Sequence, residues 1–389
     1  MTTNKKILYI GHMDFPDKNA AAIRVIENSK ILEQIGFEVI FIGIDRDIQY
    51  KSLNKIIKAD SVLGFKTYKK PYPKSIIQML YYYTSGKWIS KIKRIVEISK
   101  VYAIIAYNFP AIPLYKLKKY TDKNNMHLIA DCTEWYGSTK NPIVVLDTFL
   151  RMRFVHKKIK NIICVSNFIE EYYKNKKCNT VNIPTLSPIL KFIKPELKNK
   201  YFTFSYVGDP GKGKKKDRLD YLIRALFILK KAKYKFKLNI VGIDKSNLIT
   251  IYADLKNMIH LMSEDIVFCG RLPRNESLII LLKSDFSIFF RKPSRLTMAG
   301  FPTKLGESFS LGIPVITNSF SNISDFLVNK YNGYIINDCS VDSIVKVLIK
   351  AINTEKVSLE KMKQNLIDSN PLAPSLFIDS FDKFIKSLV

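Results

Sequence analysis

Five cysteines in 389 residues are too few and too scattered for a disulfide framework. Cys132, Cys164, Cys178, Cys269 and Cys339 include no Cys-x-x-Cys pair, which argues against a zinc knuckle and fits a reducing cytoplasm. Histidine is scarcer still. His12, His127, His156 and His260 stand far apart, and no metal cluster is expected. No run approaches the ~18 consecutive apolar residues of a membrane span, and the opening MTTNKKILYIGHMDF is too briefly apolar for a signal peptide. Acidic residues are also few. Asp and Glu total 34 against 63 Lys and Arg, a formal charge of +29. Such an excess suits nucleic acid, an anionic membrane face or phosphorylated substrates, or reflects no more than a genome bias toward lysine codons.

What is present is a long alternation of strands and helices. Apolar residues make up 47% of the chain, enough for large cores. The length suits two domains of roughly 150–200 residues each. KKILYIG reads as a buried parallel strand bounded by Gly11, and AAAIRVIENSKILEQIG as a helix closing on Gly36. FEVIFIGI, YAIIAYN, HLIADC and NIICVS follow as strands with helices among them. NIPTLSPILKFIKPELKNK breaks the rhythm with Pro184, Pro188 and Pro195 and reads as a linker. A second series restarts with FTFSYVG, FKLNIVG, DIVFCG, FSIFFR, IPVITN and GYIIN, closed by helices in DSIVKVLIKAINT and PSLFIDSFDKFIKSL. The expected fold is α/β, with two doubly wound parallel-sheet, Rossmann-like domains facing a central cleft. The predicted boundaries are 1–190, 200–370, and a terminal helix at 371–389 packing back toward the first domain.

Residues 66–100 are rich in lysine and aromatics. With 87–98 helical, Lys87, Lys91 and Arg94 share one face, and Trp88, Ile92 and Ile95 the neighbouring one. That pattern suits a helix lying on an anionic membrane surface, and equally an ordinary helix with a solvated basic face.

Two motifs carry chemistry. VGDPGKGKKKD sets Gly208, Gly213 and Lys214 at P-loop spacing after a strand. A P-loop needs Ser or Thr next to hold magnesium, and the residue here is Lys215, so an NTPase is not expected. A Gly-rich turn with lysines still makes an anion site, because free N–H groups and ammonium groups converge there. In AGFPTKLGESFSLGIPVITN, Thr303 reads as a helix N-cap with Lys304 in the first turn. A capping box would place its acid at Gly306; Glu307 comes one residue later and is free to face a ligand. A helix start favours phosphate, and a carboxylate one turn in can accept hydrogen bonds from ribose or sugar hydroxyls.

In this order and spacing the stretches resemble the GT-B glycosyltransferases, and among them glycosyltransferase family 4. The resemblance covers nearly the whole chain. It is most specific in SYVGDPGKGKKKDRLDYLIRAL, LNIVG, VFCGRLPRNE and AGFPTKLGESFSLGIPVITN, while ADCTEWYG and IICVSNFIEEYY look like acceptor-side strands. It implies a nucleotide-sugar donor site in the second domain. Gly208 and Lys215 or Lys216 would meet the diphosphate, the backbone of Arg271 and Leu272 the base, and Gly300, Phe301, Thr303 and Leu305 would line the loop before Glu307 at the ribose. Three positions depart from the family pattern. Its first glutamate is Ala299, a glycine is Pro302, which has no N–H, and the arginine after the first glycine is Asp209. Lys304 stands in as a side-chain donor.

Breaking the bond from the anomeric carbon to the diphosphate builds charge on the leaving phosphate, so positive groups must already be in place. Lys215 or Lys216, Lys304 and the helix N–H groups are the candidates, with Arg291 and Arg295 just upstream. The resemblance implies retention, without metal or other cofactor, the leaving phosphate helping to accept the acceptor's proton. An inverting enzyme would need a base instead, and His12, Asp14, Asp131 and Glu134 stand in the first domain, with Trp135 beside them in sequence. The partners implied are a nucleotide-sugar donor, a glycan or lipid-linked acceptor and an anionic membrane surface, not nucleic acid. The setting implied is bacterial surface polysaccharide synthesis, such as capsule or O-antigen, by a cytoplasmic enzyme at the inner face of the membrane. Two other classes fit the same residues. One is a sugar-nucleotide epimerase of the same fold, which needs no acceptor. The other is a non-enzymatic basic protein whose binding would be strongly salt-dependent.

Overall fold

The computed structural model describes residues 5–48, 57–58, 61–135, 141–190, 201–211 and 216–388. The chain divides into two compact units, residues 1–186 with 299–301 and 374–389, and residues 187–298 with 302–373.

The first unit is built on eight strands: β1 (Lys6–Asp14), β2 (Glu38–Asp45), β3 (Ile57–Lys58), β4 (Lys66–Pro71), β5 (Val101–Tyr107), β6 (His127–Cys132), β7 (Asn161–Cys164) and β8 (Asn179–Asn182). Their order is β3-β4-β2-β1-β5-β6-β7-β8, parallel throughout except for β3 against β4. Strand order reverses between β1 and β5, the place where doubly wound sheets open a crevice at their carboxyl ends. Ile7, Leu8, Tyr9 and Ile10 are fully buried, as a strand covered on both faces requires. The helix Ala20–Gln34 starts on Asn19, whose side chain accepts from the Ala22 N–H. The helix Ile378–Lys386 buries Phe381, Phe384 and Ile385 in the same core as Ile7, Tyr9, Val25 and Ile105. Tyr102 Oη donates to the Ile385 carbonyl (3.2 Å) and Asn179 Nδ2 to that of Ser387 (3.0 Å).

The Lys/aromatic segment departs from the expected helix. Residues 87–98 hold no α-helix but a short 3-10 segment, Ile89–Arg94, and the start of another, Ile98–Lys100. The apolar residues Ile89, Ile92 and Ile95 recur every third position, the period of a 3-10 turn rather than an α-helix. Lys87 and Arg94 stay outside, and Lys91 is half-buried. Trp88 is only 6% exposed, so it is a core residue and not part of a membrane face. The exposed apolar surface lies one element earlier. The helix Ile76–Thr84 buries none of its residues and carries Ile76 and Ile77 at 81% exposure and Leu80 at 51%. Ser75 and Gln78 close it with a capping box, an S-x-x-Q signature that the sequence displays openly.

The second unit holds β9 (Phe202–Val207), β10 (Phe236–Val241), β11 (Ile266–Gly270), β12 (Phe286–Ile288), β13 (Val315–Asn318) and β14 (Gly333–Ile336), all parallel in the order β11-β10-β9-β12-β13-β14. The order reverses between β9 and β12. Residues 191–200 of the proline-rich stretch lie outside the described residues. Ser187 already donates to the Leu372 carbonyl (2.9 Å), and Leu190 packs on Leu278, Leu281, Leu311 and Ile313 within the second unit. Among the described residues no helix is long and apolar enough to cross a membrane.

Candidate functional site

In the second unit the neighbouring strands β9, β10 and β11 each run out into a glycine: Gly208, Gly242 and Gly270. Gly242 donates to the Gly270 carbonyl (2.7 Å) and Gly208 to that of Val241 (2.9 Å). Two of these glycines are obligatory. A Cβ at Gly242 (φ +106°) would meet the Gly208 carbonyl oxygen at 2.5 Å, and one at Gly208 (φ +132°) would meet Lys304 Nζ at 2.5 Å. The lysine of the loop-helix motif is therefore pressed against the backbone that ends β9.

Lys304 is not a free cation. Its ammonium donates to Asp217 Oδ2 (2.7 Å), while Arg291 Nε donates to Asp217 Oδ1 (2.6 Å) and Tyr206 Oη to Oδ2 (2.7 Å). All four side chains are buried. Asn318, the last residue of β13, fixes the neighbouring backbone by accepting from the Arg291 N–H (2.9 Å) and donating to the Arg291 carbonyl (2.9 Å). Burial by itself would raise the Asp217 carboxyl; Arg291 and Lys304, with the hydrogen bonds from Lys304 and Tyr206, carry it well below the ordinary carboxylate value. Two cations around one anion leave a net positive charge at the strand-order reversal, where anionic ligands of such sheets bind.

Lys304 and Glu307 lie on the helix Thr303–Ser310. Its cap is Pro302 (φ −75°, ψ 117°) and not Thr303, and no side chain caps it, because proline carries no side-chain acceptor. Glu307 is half-buried. The Nε of Arg274 lies 3.8 Å from its carboxylate, too long for a hydrogen bond. Burial raises its carboxyl above the ordinary value, with Arg274 and Lys304 offsetting only part. It is a carboxylate held partly desolvated, with acceptor capacity left over.

The other expected donor residues are dispersed. Leu305 is fully buried and serves the core. Thr303 and Leu272 are half-buried. Arg271 is 83% exposed and pairs with Asp209 (3.2 Å), the residue standing where the resemblance expects arginine. Arg295 and Lys216 are exposed, and Lys215 lies outside the described residues. Gly300 and Phe301 group with the first unit, as does Ala299, whose carbonyl accepts from Ser166 Oγ (2.9 Å). Asp217 was not anticipated from sequence, although it follows directly on the lysine run; an acid there reads as a helix cap, and instead it turns inward.

In the first unit two of the acceptor-side candidates are structural. Asp131 is fully buried and accepts from Arg24 Nε and Nη2 (2.9 Å at the shortest) and from Tyr9 Oη (2.5 Å), so both its oxygens are engaged inside the fold. Trp135 is buried against Tyr172 and Phe168 and is no stacking platform. Asp14 is buried, which raises its carboxyl, with Arg46 Nε 3.4 Å away. Glu134 is half-buried. His12 stacks on Tyr82 (4.5 Å between ring centres), its Nε2 is buried without a hydrogen bond, and burial with Lys70 and Arg46 pushes it down to about 3, so it is neutral. Among the described residues, no group of three or more His, Cys, Asp and Glu side chains could hold a metal ion.

Residues 191–369 match the family described as glycosyl transferases group 1. By sequence, no curated protein matches the chain. By structure it is similar to the lipopolysaccharide outer core galactosyltransferase WaaB, at 15% identity and a TM-score of 0.63 over 98% of this chain and 99% of that one. It is also similar to sucrose-phosphate synthase from Thermosynechococcus elongatus, at 13% identity and 0.70 over 98% of each chain. A third is S. aureus TarM, in a complex containing UDP and α-GlcNAc-glycerol, at 12% identity and 0.68 over 98% and 100%. At such identities the likeness establishes the fold, two Rossmann-like units of the GT-B type.

Proposed function

We propose, from the premise that this chain is a glycosyltransferase whose second unit belongs to the glycosyl transferases group 1 family, that it moves a sugar from a nucleotide-diphosphate sugar to a hydroxyl of a glycan or lipid-linked acceptor, with retention. The observation that carries the reading is Glu307. It is a partly desolvated carboxylate with open acceptor positions, three residues from Lys304 and on the same helix. The ribose diol would use those positions. The diphosphate would lie toward Lys304 and the first turn of the helix, where the Asp217–Arg291–Lys304 cluster leaves one uncompensated positive charge. Because Lys304 is already oriented by Asp217, no reorganisation is needed as the leaving phosphate gains charge. The reading asks for no metal. With Ala299 in place of a carboxylate, donor-sugar recognition falls to other groups.

A thermal-shift panel of UDP, GDP, ADP and CMP with their sugars tests the donor half. One nucleotide diphosphate should raise Tm, and its release should accelerate when an acceptor glycan is supplied. Release that ignores the acceptor would favour an epimerase. No stabilisation by any of them would favour a basic binding protein.

The acceptor reading is a lipid-linked glycan at an anionic membrane face, in synthesis of a surface polysaccharide such as capsule or O-antigen. Its support is the helix Ile76–Thr84, with Ile76, Ile77 and Leu80 directed to solvent among the lysines of residues 66–100. Changing those three residues together to serine should lower partition onto phosphatidylglycerol vesicles by about tenfold or more. Lys87, Lys91 and Arg94 changed to glutamine should chiefly weaken its salt-dependent part, by about 1 kcal/mol per charge at most. Unaltered partition in the serine variant would return the helix to an ordinary surface element.

A further inference from the structure

Within the Lys/aromatic segment of the first unit stands a buried cation with no acidic partner among the described residues. Lys70, next to last in β4, is 5% exposed. Its ammonium lies 3.8 Å from the centre of the Trp88 ring, 5.7 Å from Phe109 and 6.0 Å from Tyr82. Aromatic faces attract an ammonium ion but take none of its three N–H bonds. Arg24, Lys304 and Arg291 are equally buried, and each holds a carboxylate at 2.9 Å or less. Lys70 has no hydrogen bond or ion pair among the described residues. Burial alone pushes its ammonium down to about 7, since no neighbouring acid opposes the loss of water.

Lys70 is not sealed in. It lines a small cleft together with Pro71, Tyr82, Gly86 and Trp88, at the carboxyl ends of the parallel strands β2 and β4. His12, near the end of β1, stacks on the same Tyr82 ring and keeps Nε2 unbonded. A neutral imidazole can donate one hydrogen bond from that nitrogen. Arg151 adds to the field: its charge reaches Tyr82 and Tyr83, and two of its guanidinium nitrogens are buried without partners. Asp147 offsets that charge at both tyrosines, whereas Lys70 itself has no acid opposite it.

We infer that the Lys70 cleft is a binding site for an oxyanion of the phosphate type, carried by the acceptor, with Lys70 as its donor and Tyr82 and Trp88 as its walls. The acceptor assignment rests on the transfer reading; the oxyanion site itself does not. A phosphate would supply the counter-charge that Lys70 lacks and would bring its ammonium fully to the charged state.

Trp88 reports the site directly, because the chain has only one other tryptophan. In a Trp135→Phe background of the full chain, Trp88 emission is followed against inorganic phosphate, glucose 1-phosphate and glucose. Both phosphates should change it saturably and glucose should not. Lys70→Met should weaken that response by about tenfold or more, while Lys70→Arg should keep it. The Glu307→Ala change in the second unit should leave it intact. Vesicles of phosphatidylglycerol, with phosphatidylcholine as control, distinguish a lipid headgroup from a soluble phosphate; a response to the former alone supports the site and names its source. No saturable response to any of these, or an equal response in a folded Lys70→Met protein, overturns the inference. Loss of acceptor-dependent transfer with the Trp88 response intact would count against the transfer reading and not against this site.

Discussion

Replacing Asp217 by alanine should destabilise the second unit by about 3–5 kcal/mol, the usual cost of stranding buried charges. Arg291 and Lys304 both donate to this carboxylate, and each has a nearly inaccessible side chain. Neither can turn to water without breaking the packing around Tyr206 and Asn318. Thermal unfolding followed by circular dichroism should show Tm lower by roughly 10 °C for a unit of this size. Adding Lys304→Met to the alanine variant should recover part of the loss, since only one stranded cation then remains. The pH dependence has a definite sign. The Asp217 carboxyl is depressed in the folded state, so its contribution is complete above the unfolded carboxylate value of about 3.9. It disappears only as pH falls through the lower folded value. The gap between parent and variant should therefore hold from about pH 5 to 8 and close in strong acid. A variant that melts with the parent would mean that the cluster is hydrated and not the buried triad described.

Glu307→Ala should have the opposite profile, with stability nearly kept and ligand binding lost. Its carboxylate is half-buried, Arg274 is its one cationic neighbour at ion-pair distance among the described residues, 3.8 Å away, and burial already works against its charge. Removing it costs the fold little. Removing two charge-assisted hydrogen bonds to a ribose should weaken the preferred nucleotide by about 10- to 100-fold, measured by titration calorimetry. Glu307→Gln, which keeps the shape and one acceptor oxygen, should lie between. Parent affinity in Glu307→Ala would remove the ribose role and with it the main support for the donor site.

Much of the architecture was legible because parallel strands buried on both faces spell themselves as apolar runs. KKILYIG, FTFSYVG and LNIVG are such runs, and their closing glycines mark where the backbone must pass close to a neighbour. The candidate site was legible at Gly208, Arg291, Lys304 and Glu307, of which Glu307 drew notice by its offset from the capping position. Asp217 was hidden for a physical reason: whether an acid beside a lysine run faces water or core depends on which strand ends lie across from it, and those are Phe290 and Arg291, more than 70 residues on. The segment 87–98 misled because Trp88 and Ile92 are as apolar as Ile76 and Ile77. Sequence ranks the four alike, and only packing against Lys70 and Phe109 shows which pair is inside.

The helix Ile76–Thr84 has a consequence of its own. Its outward residues Ile76, Ile77 and Leu80 and its inward ring Tyr82 are rigidly joined within nine residues, so one small body reads two environments. Whatever free energy contact with a lipid surface lends to the orientation of Tyr82 must be returned in kind, because linkage is reciprocal. On the proposed reading, a filled Lys70 cleft would then strengthen the partition of the enzyme onto the bilayer by the same factor by which the bilayer strengthens binding of the acceptor. Adsorption and substrate choice would become two readings of one equilibrium.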